Sequence, residues 1–218
     1  MTKIIASLLM CLSTLLFSAE ISKSNWIYIA KFSENGLSDW QPKIFNEETR
    51  YQVVDLDNKK VLQAQSFSSA SGLIKKQRID LRRTPYLNWS WRIENRLSRF
   101  NEQEKTGDDY AARIYVVISG GIFFWKTQAI NYVWSANSQK GKVWPNAFAG
   151  KSAKMIAVRA LIDKTGTWYS EKRNILADLK EHFGKTYQYI DAIAIMSDTD
   201  NTQTKVTAFY GDIYFSSQ

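Results

Sequence analysis

The feature that most constrains the fold of this chain is the alternation of apolar and polar residues along short segments. The clearest segment, Leu87–Ile93, has one apolar phase made of Leu87, Trp89, Trp91 and Ile93. Its other phase is polar and consists of Asn88, Ser90 and Arg92. Successive side chains of a β-strand point to opposite faces, so this segment predicts a strand with one face in the core and one in water.

Further strands are predicted from similar patterns at Tyr51–Leu56, Val61–Gln65, Tyr110–Ser119, Gln128–Ser135, Met155–Ile162, Ile190–Ser197 and Val206–Phe215. The first two flank the turn-like residues 57–60 and are predicted to form a hairpin. Short strands separated by turns are typical of all-β folds. We therefore predict a two-sheet β-sandwich of jelly-roll type.

One short helix is predicted over Lys172–Phe183, within this series of strands. Its apolar residues recur at helical spacing and are Ile175, Leu176, Leu179 and Phe183. Ser170 is the predicted N-cap and Gly184 the predicted C-cap. The single histidine, His182, lies in the last turn, where the helix dipole and Asp178 favour a structural role.

The N-terminus has the pattern of a signal peptide over residues 1–19. Lys3 precedes the apolar run Ile4–Phe17, and Ser18-Ala19 follows it. The run is shorter than the roughly twenty residues that span a bilayer, so no transmembrane anchor is expected after processing. Phe17 stands where a small residue is usual, which leaves a retained anchor as the alternative. We predict a periplasmic or secreted protein with a single β-sandwich domain over residues 20–218.

The cysteine content and the net charge limit the chemistry of the predicted domain. Cys11 is the only cysteine and lies in the predicted signal peptide, so the domain would have no disulfide and no thiol nucleophile. The formal net charge is +8. Lipid head groups, nucleic acids and acidic polysaccharides attract such a protein, but no block of five basic residues is present. No nucleic-acid partner is therefore predicted.

Polar faces of the predicted strands indicate a ligand-binding surface. If their strands share a sheet, one surface would be lined by four polar side chains, those of Arg92, Arg113, Asn131 and Arg159. Guanidinium groups pair bidentately with carboxylates, so such a surface would suit uronic-acid sugars. The alternative is a set of cross-strand pairs with acids such as Glu94 and Asp109. Trp134 and Trp168, near predicted strand ends, could stack on sugar rings.

Two groups of acids are further candidates. The turn that contains Asp198, Asp200 and Asn201 could supply oxygen ligands to calcium, or form an Asx-turn without a metal. No other cofactor is predicted. Glu171 could act as a general acid or base with Asp108 or Asp109, because glycoside hydrolysis needs two carboxylates.

Several motifs in order resemble a bacterial family known as domain of unknown function 3047. They are Leu87–Arg92, Gly107–Val116, Ile130–Ser135, Glu171–Asn174, Asp198–Thr202 and Tyr210–Ile213. The resemblance implies an exported bacterial protein of about this size, and it implies no activity. It draws attention to Arg113, Glu171, Arg173 and Asp198 without assigning them roles, and we include Arg173 among the candidate ligand-binding residues.

Three functions are consistent with these features. The first is a module that binds a polysaccharide on a face of the sandwich, which we favour. The second is a glycoside hydrolase or polysaccharide lyase that uses Glu171. The third is a structural envelope protein without a small ligand, in which Arg113, Glu171 and Asp198 would be enclosed ion pairs.

Overall fold

The computed structural model describes residues 26–34, 36–98 and 100–218, which form two seven-stranded sheets. Sheet A consists of β1 (Trp26–Ala30), β3 (Arg50–Leu56), β4 (Lys59–Phe67), β6 (Tyr86–Ile93), β11 (Tyr169–Asn174), β13 (Lys205–Tyr210) and β14 (Ile213–Ser216). Sheet B consists of β2 (Gln41–Asn46), β5 (Ala70–Asp80), β7 (Arg113–Ile118), β8 (Gln128–Trp134), β9 (Val143–Asn146), β10 (Gly150–Arg159) and β12 (Tyr189–Asp198). The helix α1 spans Ile175–Phe183, and short 3-10 turns span Lys105–Gly107 and Phe124–Lys126.

Strand β6 is the centre of sheet A. Along one edge it pairs with β11, and along the other it pairs first with β14 and then with β13. Strands β1 and β4 continue the sheet beyond β14 and β13, and β3 follows β4. The order of sheet B is β2-β5-β12-β7-β8-β10-β9, in which only the β8–β10 pair is parallel.

The core lies between the two sheets and confirms the alternation predicted for β6. Its four apolar residues are buried, whereas Ser90 and Arg92 on the opposite face are only partly buried. The Trp89 ring lies 5.4 Å from that of Tyr132 in sheet B, and the Trp91 ring lies 5.9 Å from that of Trp134. The predicted all-β sandwich of jelly-roll type is confirmed.

The predicted hairpin is β3–β4, and its connection is a two-residue turn. Asp57 and Asn58 have φ angles of 53° and 60°. Positive φ at both central residues suits the right-handed twist of the paired strands, and Asp and Asn tolerate it better than most residues. The turn lies at one end of the hairpin, and the Asp57 carboxylate accepts a hydrogen bond there from Arg92 of β6.

The helix begins later than predicted. Lys172–Asn174 belong to β11, and the N-cap is Asn174 rather than Ser170, since its side chain accepts a hydrogen bond from the amide of Ala177 at 3.0 Å. The C-cap at Gly184 is confirmed by its left-handed φ of 67°.

The predicted strand Val206–Phe215 is divided into β13 and β14 at Gly211-Asp212. The predicted signal peptide lies outside the described residues, among which no helix is long and apolar enough to cross a bilayer.

Candidate functional site

A groove of about 940 Å³ lies on the outer face of sheet A, between the β3–β4 turn and strands β11 and β14. Small polar residues, Asn88, Ser90 and Ser170, lie along it. Trp168 and Tyr214 contribute aromatic rings, and Lys59, Lys60 and Lys172 contribute ammonium groups. A volume of this order is typical of a ligand-binding cleft.

The register of sheet A explains why these residues face the groove. Ser170 lies opposite Ser90, and Lys172 lies opposite Asn88, so both strands present their polar phase on the same face. Gly211 borders the same surface, and a Cβ atom built there would overlap Ser90 Oγ. A side chain at position 211 would therefore require the Ser90 hydroxyl to rotate away from it.

Trp168 is held at one side of the groove by hydrogen bonding to the β3–β4 turn. Its Nε1 donates to Asp57 Oδ2 at 3.3 Å, and Arg92 Nη1 donates to the same oxygen at 3.1 Å. Arg92 Nε also donates to Glu94 at 2.6 Å. Arg92 is thus engaged by two acids, and its contribution here is to hold Asp57 beside Trp168.

Tyr214 belongs to an aromatic group on the other side of the groove. Its ring stacks on Trp26 at 4.9 Å and lies 5.5 Å from the ring of Tyr28. Asp212 is fixed nearby, because it accepts hydrogen bonds from the Ser33 amide at 3.2 Å and from Ser33 Oγ at 2.7 Å. Both sides of the groove therefore have ordered side chains.

The predicted single surface of arginines and Asn131 is wrong. Arg92 lies on the outer face of sheet A, whereas Arg113 and Asn131 lie in β7 and β8 of sheet B and are buried. The register of β10 against β8 shifts between Ala157 and Arg159. Ala157 lies opposite Val133, and Arg159 lies opposite the next residue, Trp134, so Arg159 does not share a face with Ala157. Arg159 contacts Glu171 and donates to Asp163 at 3.1 Å.

Arg113 is the centre of a buried polar cluster on sheet B. Its Nη2 donates to Asp198, and its Nη1 lies 4.0 Å from Asp108, which also accepts from Asn146 at 2.9 Å. Burial raises the pKa of the Asp198 and Asp108 carboxyls, and the guanidinium opposes that rise. Within the described residues, Arg113 Nε and Asn131 Oδ1 are buried without a hydrogen-bond partner.

The acidic turn is tied to Asp109. The Thr202 amide and hydroxyl donate to Asp109 Oδ2 at 2.7 and 2.6 Å, and the Asn201 amide and Nδ2 donate to Oδ1 at 3.3 and 3.2 Å. Asp109, Asp198 and Asp200 offer oxygens within 4.8 Å of one another, which could hold a cation. These four hydrogen bonds to Asp109 order the turn.

The remaining candidates do not form one site, although Trp168 and Glu171 both line the groove. Glu171 accepts from Trp91 Nε1 at 3.1 Å and from Arg159, so the structure does not bring its carboxylate together with Asp108 or Asp109. Trp134 is in the core, 2% exposed, and the prediction that it stacks on a ligand is wrong. Arg173 donates to Asp178 at 2.7 and 3.0 Å. Among the predicted ligand-binding residues, only Trp168 lines the groove.

Sequence reasoning missed most of the groove. Asn88 and Ser90 were recognisable as the polar phase of β6, which is the one signal that could have identified them. The sequence pattern places Lys172 in the helix, and Asp212 and Tyr214 come from the far end of the chain. The sequence has no local pattern that joins these residues to Asp57 and Trp168.

Comparison with solved structures places the fold among β-sandwich modules. A family 30 carbohydrate-binding module of a cellulosomal cellulase from Clostridium thermocellum superposes with a TM-score of 0.50 and 10% identity, over 89% of this chain and 98% of the module. A family 11 carbohydrate-binding module of another Clostridium thermocellum cellulase has a TM-score of 0.45 and 9% identity, over 88% and 94% of the two chains. A cellulase derived from Cel12A of Rhodothermus marinus has a TM-score of 0.47 and 8% identity, over 88% and 99%.

At these identities the similarity shows the fold alone. The search of curated proteins found no match. The sequence profile of a family described as "Protein of unknown function (DUF3047)" matches residues 38–214, which include every strand from β2 to β13. The chain therefore belongs to the DUF3047 family, as its motifs predicted.

Proposed function

We propose that the groove on the outer face of sheet A binds a carbohydrate polymer. The observation that carries this proposal is the combination of an open groove, small polar residues along it and aromatic rings on two sides. Sugar rings present hydroxyls around their edge and C–H groups on their faces. The groove offers hydrogen-bonding groups for the hydroxyls and aromatic faces for the C–H groups.

Trp168 is the residue on which the proposed binding depends most. It is only partly buried, and its indole is oriented by Asp57, which itself is held by Arg92. A side chain already fixed in position loses less conformational entropy when a ligand packs against it. Lys59 and Lys172 would donate to hydroxyls or carboxylates of the polymer, so neutral and acidic polysaccharides both belong in the test.

The fold is compatible with this function. The family 30 module named above is a carbohydrate-binding module, and its fold resembles that of this chain. Fold does not determine function, so the proposal depends on the groove. The predicted signal peptide supports a periplasmic or secreted location, which fusion of residues 1–19 to a reporter enzyme would test.

The test is affinity electrophoresis through gels that contain neutral or uronic-acid polysaccharides. Wild-type protein should be retarded by at least one polymer, and Trp168→Ala should weaken that binding by about 1–2 kcal/mol, or roughly 5- to 30-fold, because a stacking surface is lost. Trp125→Ala is the matched control, since Trp125 is 62% exposed and does not line the groove. It should bind as the wild type does.

Two results would contradict the proposal. Absence of retardation by every polymer would favour the structural envelope protein, in which Arg113 and Asp198 serve only stability. Equal weakening by Trp168→Ala and Trp125→Ala would show that the groove is not the site. Release of reducing ends from a retained polymer would instead assign hydrolysis, and lyase activity would appear as unsaturated products.

A further inference from the structure

Four apolar side chains project into solvent from two neighbouring connections of sheet B. Ile122, Phe123 and Trp125 lie in the loop between β7 and β8 and are 86%, 44% and 62% exposed. Phe148 lies in the turn between β9 and β10 and is 59% exposed. Scattered exposed apolar residues are ordinary, but four from adjacent loops form a local feature that requires an explanation.

The strand register places both loops at one end of the sandwich. Ile118, the last residue of β7, lies opposite Gln128, the first residue of β8. Strand β10 runs parallel to β8 with Ala153 opposite Ala129, so the β9–β10 turn with Phe148 lies at this same end. We call this region the loop end of the molecule.

The β7–β8 loop has a defined conformation. The Ser119 amide donates to Asp191 at 2.8 Å, and the Gly120 amide donates to Thr127 Oγ1 at 3.2 Å. A Cβ atom on Gly120 would overlap the carbonyl oxygen of Phe123, so the tight turn requires glycine. The backbone therefore fixes the apolar side chains in an exposed position.

Basic side chains surround the apolar loop. Lys126 lies over the Phe123 ring at 4.6 Å, and Lys105 lies over the Phe148 ring at 5.4 Å. Asp80, at the end of β5, lies opposite Tyr189, so the exposed Arg82 and Arg83 that follow it are at the loop end too. The acid Asp80 is itself paired with Arg82 at 2.9 Å.

We propose that the loop end docks on the surface of an anionic lipid bilayer. The four exposed apolar side chains would enter the interface between head groups and acyl chains, where aromatic residues are favoured. They are Ile122, Phe123, Trp125 and Phe148. The surrounding lysines and arginines would contact the anionic head groups. An apolar tip with a basic surround thus suits an anionic lipid surface better than a second copy of the same basic surface.

Vesicle sedimentation tests this proposal. Wild-type protein should bind vesicles of phosphatidylcholine with about 30% phosphatidylglycerol, and should bind pure phosphatidylcholine more weakly, since anionic lipid attracts the basic residues. The double variant Ile122→Ser, Phe123→Ser should bind the anionic vesicles at least about tenfold more weakly. All proteins are prepared in the same form, so that any contribution of residues 1–19 is common to them.

Ile162→Ser is the matched control. Ile162 is 89% exposed and follows β10 at the opposite end of sheet B, where Arg159 lies beside Trp134. It should bind vesicles as the wild type does. The double variant should also keep the wild-type affinity for any polysaccharide, because the loop end lies outside the groove. The proposed lipid docking is therefore independent of the proposed carbohydrate binding.

Three results would overturn the proposal. One is a wild-type protein that sediments with neither type of vesicle. Another is an Ile162→Ser variant that loses as much binding as the double variant. The third is a concentration-dependent dimer in sedimentation velocity that the double variant abolishes, which would assign the loop end to contact between copies of the chain.

Discussion

Replacing Arg113 by methionine tests whether the buried cluster of sheet B is a structural ion pair. Methionine fills much of the same space without the charge, so Asp198 and Asp108 would lose their guanidinium partner. Arg113 Nη1 lies 4.0 Å from Asp108, and Arg113 Nη2 is in direct contact with Asp198. At about 4 Å and an effective dielectric constant of about 20, each pair attracts by about 4 kcal/mol before desolvation is counted.

The net cost is smaller, because the variant also avoids burying the guanidinium. Removal of one partner from a buried ion pair costs about 3–5 kcal/mol. We expect the free energy of unfolding to fall by about 3 kcal/mol at pH 7. With a urea m-value of about 2 kcal/mol/M, the unfolding midpoint would fall by about 1.5 M.

The pH dependence gives this prediction a second readout. Burial raises the pKa of Asp198, and without Arg113 the pKa in the folded chain rises further above its unfolded value. Between those two pKa values the folded chain holds the proton more tightly, so the stability of the variant falls as pH rises. Wild-type stability falls in the same way up to its own raised pKa, so the deficit grows only between the folded pKa values of the two proteins and should not shrink from pH 5 to pH 7.

Arg113→Lys serves as the control, since it keeps the charge and loses the planar fork, and it should cost less than the methionine variant. Urea unfolding followed by tryptophan fluorescence at both pH values measures all three proteins. A loss below about 1 kcal/mol at pH 7, or a loss that becomes smaller as pH rises, would refute the assignment of this cluster as a structural ion pair.

Three further predictions concern positions elsewhere in the chain. Gly211→Ala should lower the free energy of unfolding by less than about 1 kcal/mol, because the Ser90 hydroxyl can rotate away from the new Cβ atom, and adding Ser90→Ala should remove that loss; a larger loss in thermal unfolding that Ser90→Ala does not relieve would contradict this reasoning. Glu102→Ala should cost about 2–3 kcal/mol, because it leaves the Ser135 hydroxyl and the Ala136 amide, now 2.6 and 2.5 Å from the carboxylate, without an acceptor; circular dichroism melts would measure it. Calcium at about 5 mM should leave the melting temperature unchanged, since the Asp109 oxygens already accept four hydrogen bonds; a saturable rise that Asp200→Asn abolishes would assign a cation site instead.

The alternation of β6 was sufficient to predict its buried face, because tryptophan and leucine in one phase can only face a core. Strand β11 was not predictable in this way. One of its two phases contains Glu171 and Arg173, which are charged and pair with Arg159 and Asp178. Because charged and polar residues alternate along β11, the segment has no apolar phase. The sequence pattern therefore places its last residues, 172–174, in the helix.

The groove could not be predicted because strand order determines it. Ser90 and Ser170 meet across a pair whose residues are eighty positions apart, and sequence spacing does not show that contact. The prediction for Arg159 failed for a local reason. The register of β10 shifts after Ala157, so the side chains beyond it no longer follow the two-residue alternation of the strand. A prediction that assumes regular alternation cannot locate such a shift.

The pairing of β1 with β14 has a consequence for the order in which the chain can fold. Trp26 lies opposite Ser216, so the first described strand has its hydrogen-bonding partner in the last one. During synthesis from the N-terminus, β1 stays unpaired until almost the whole chain has emerged. Such long-range pairing slows folding. The same geometry brings the two ends of the sandwich chain side by side, so a short linker could join them and new termini could be opened at the Asp57-Asn58 turn.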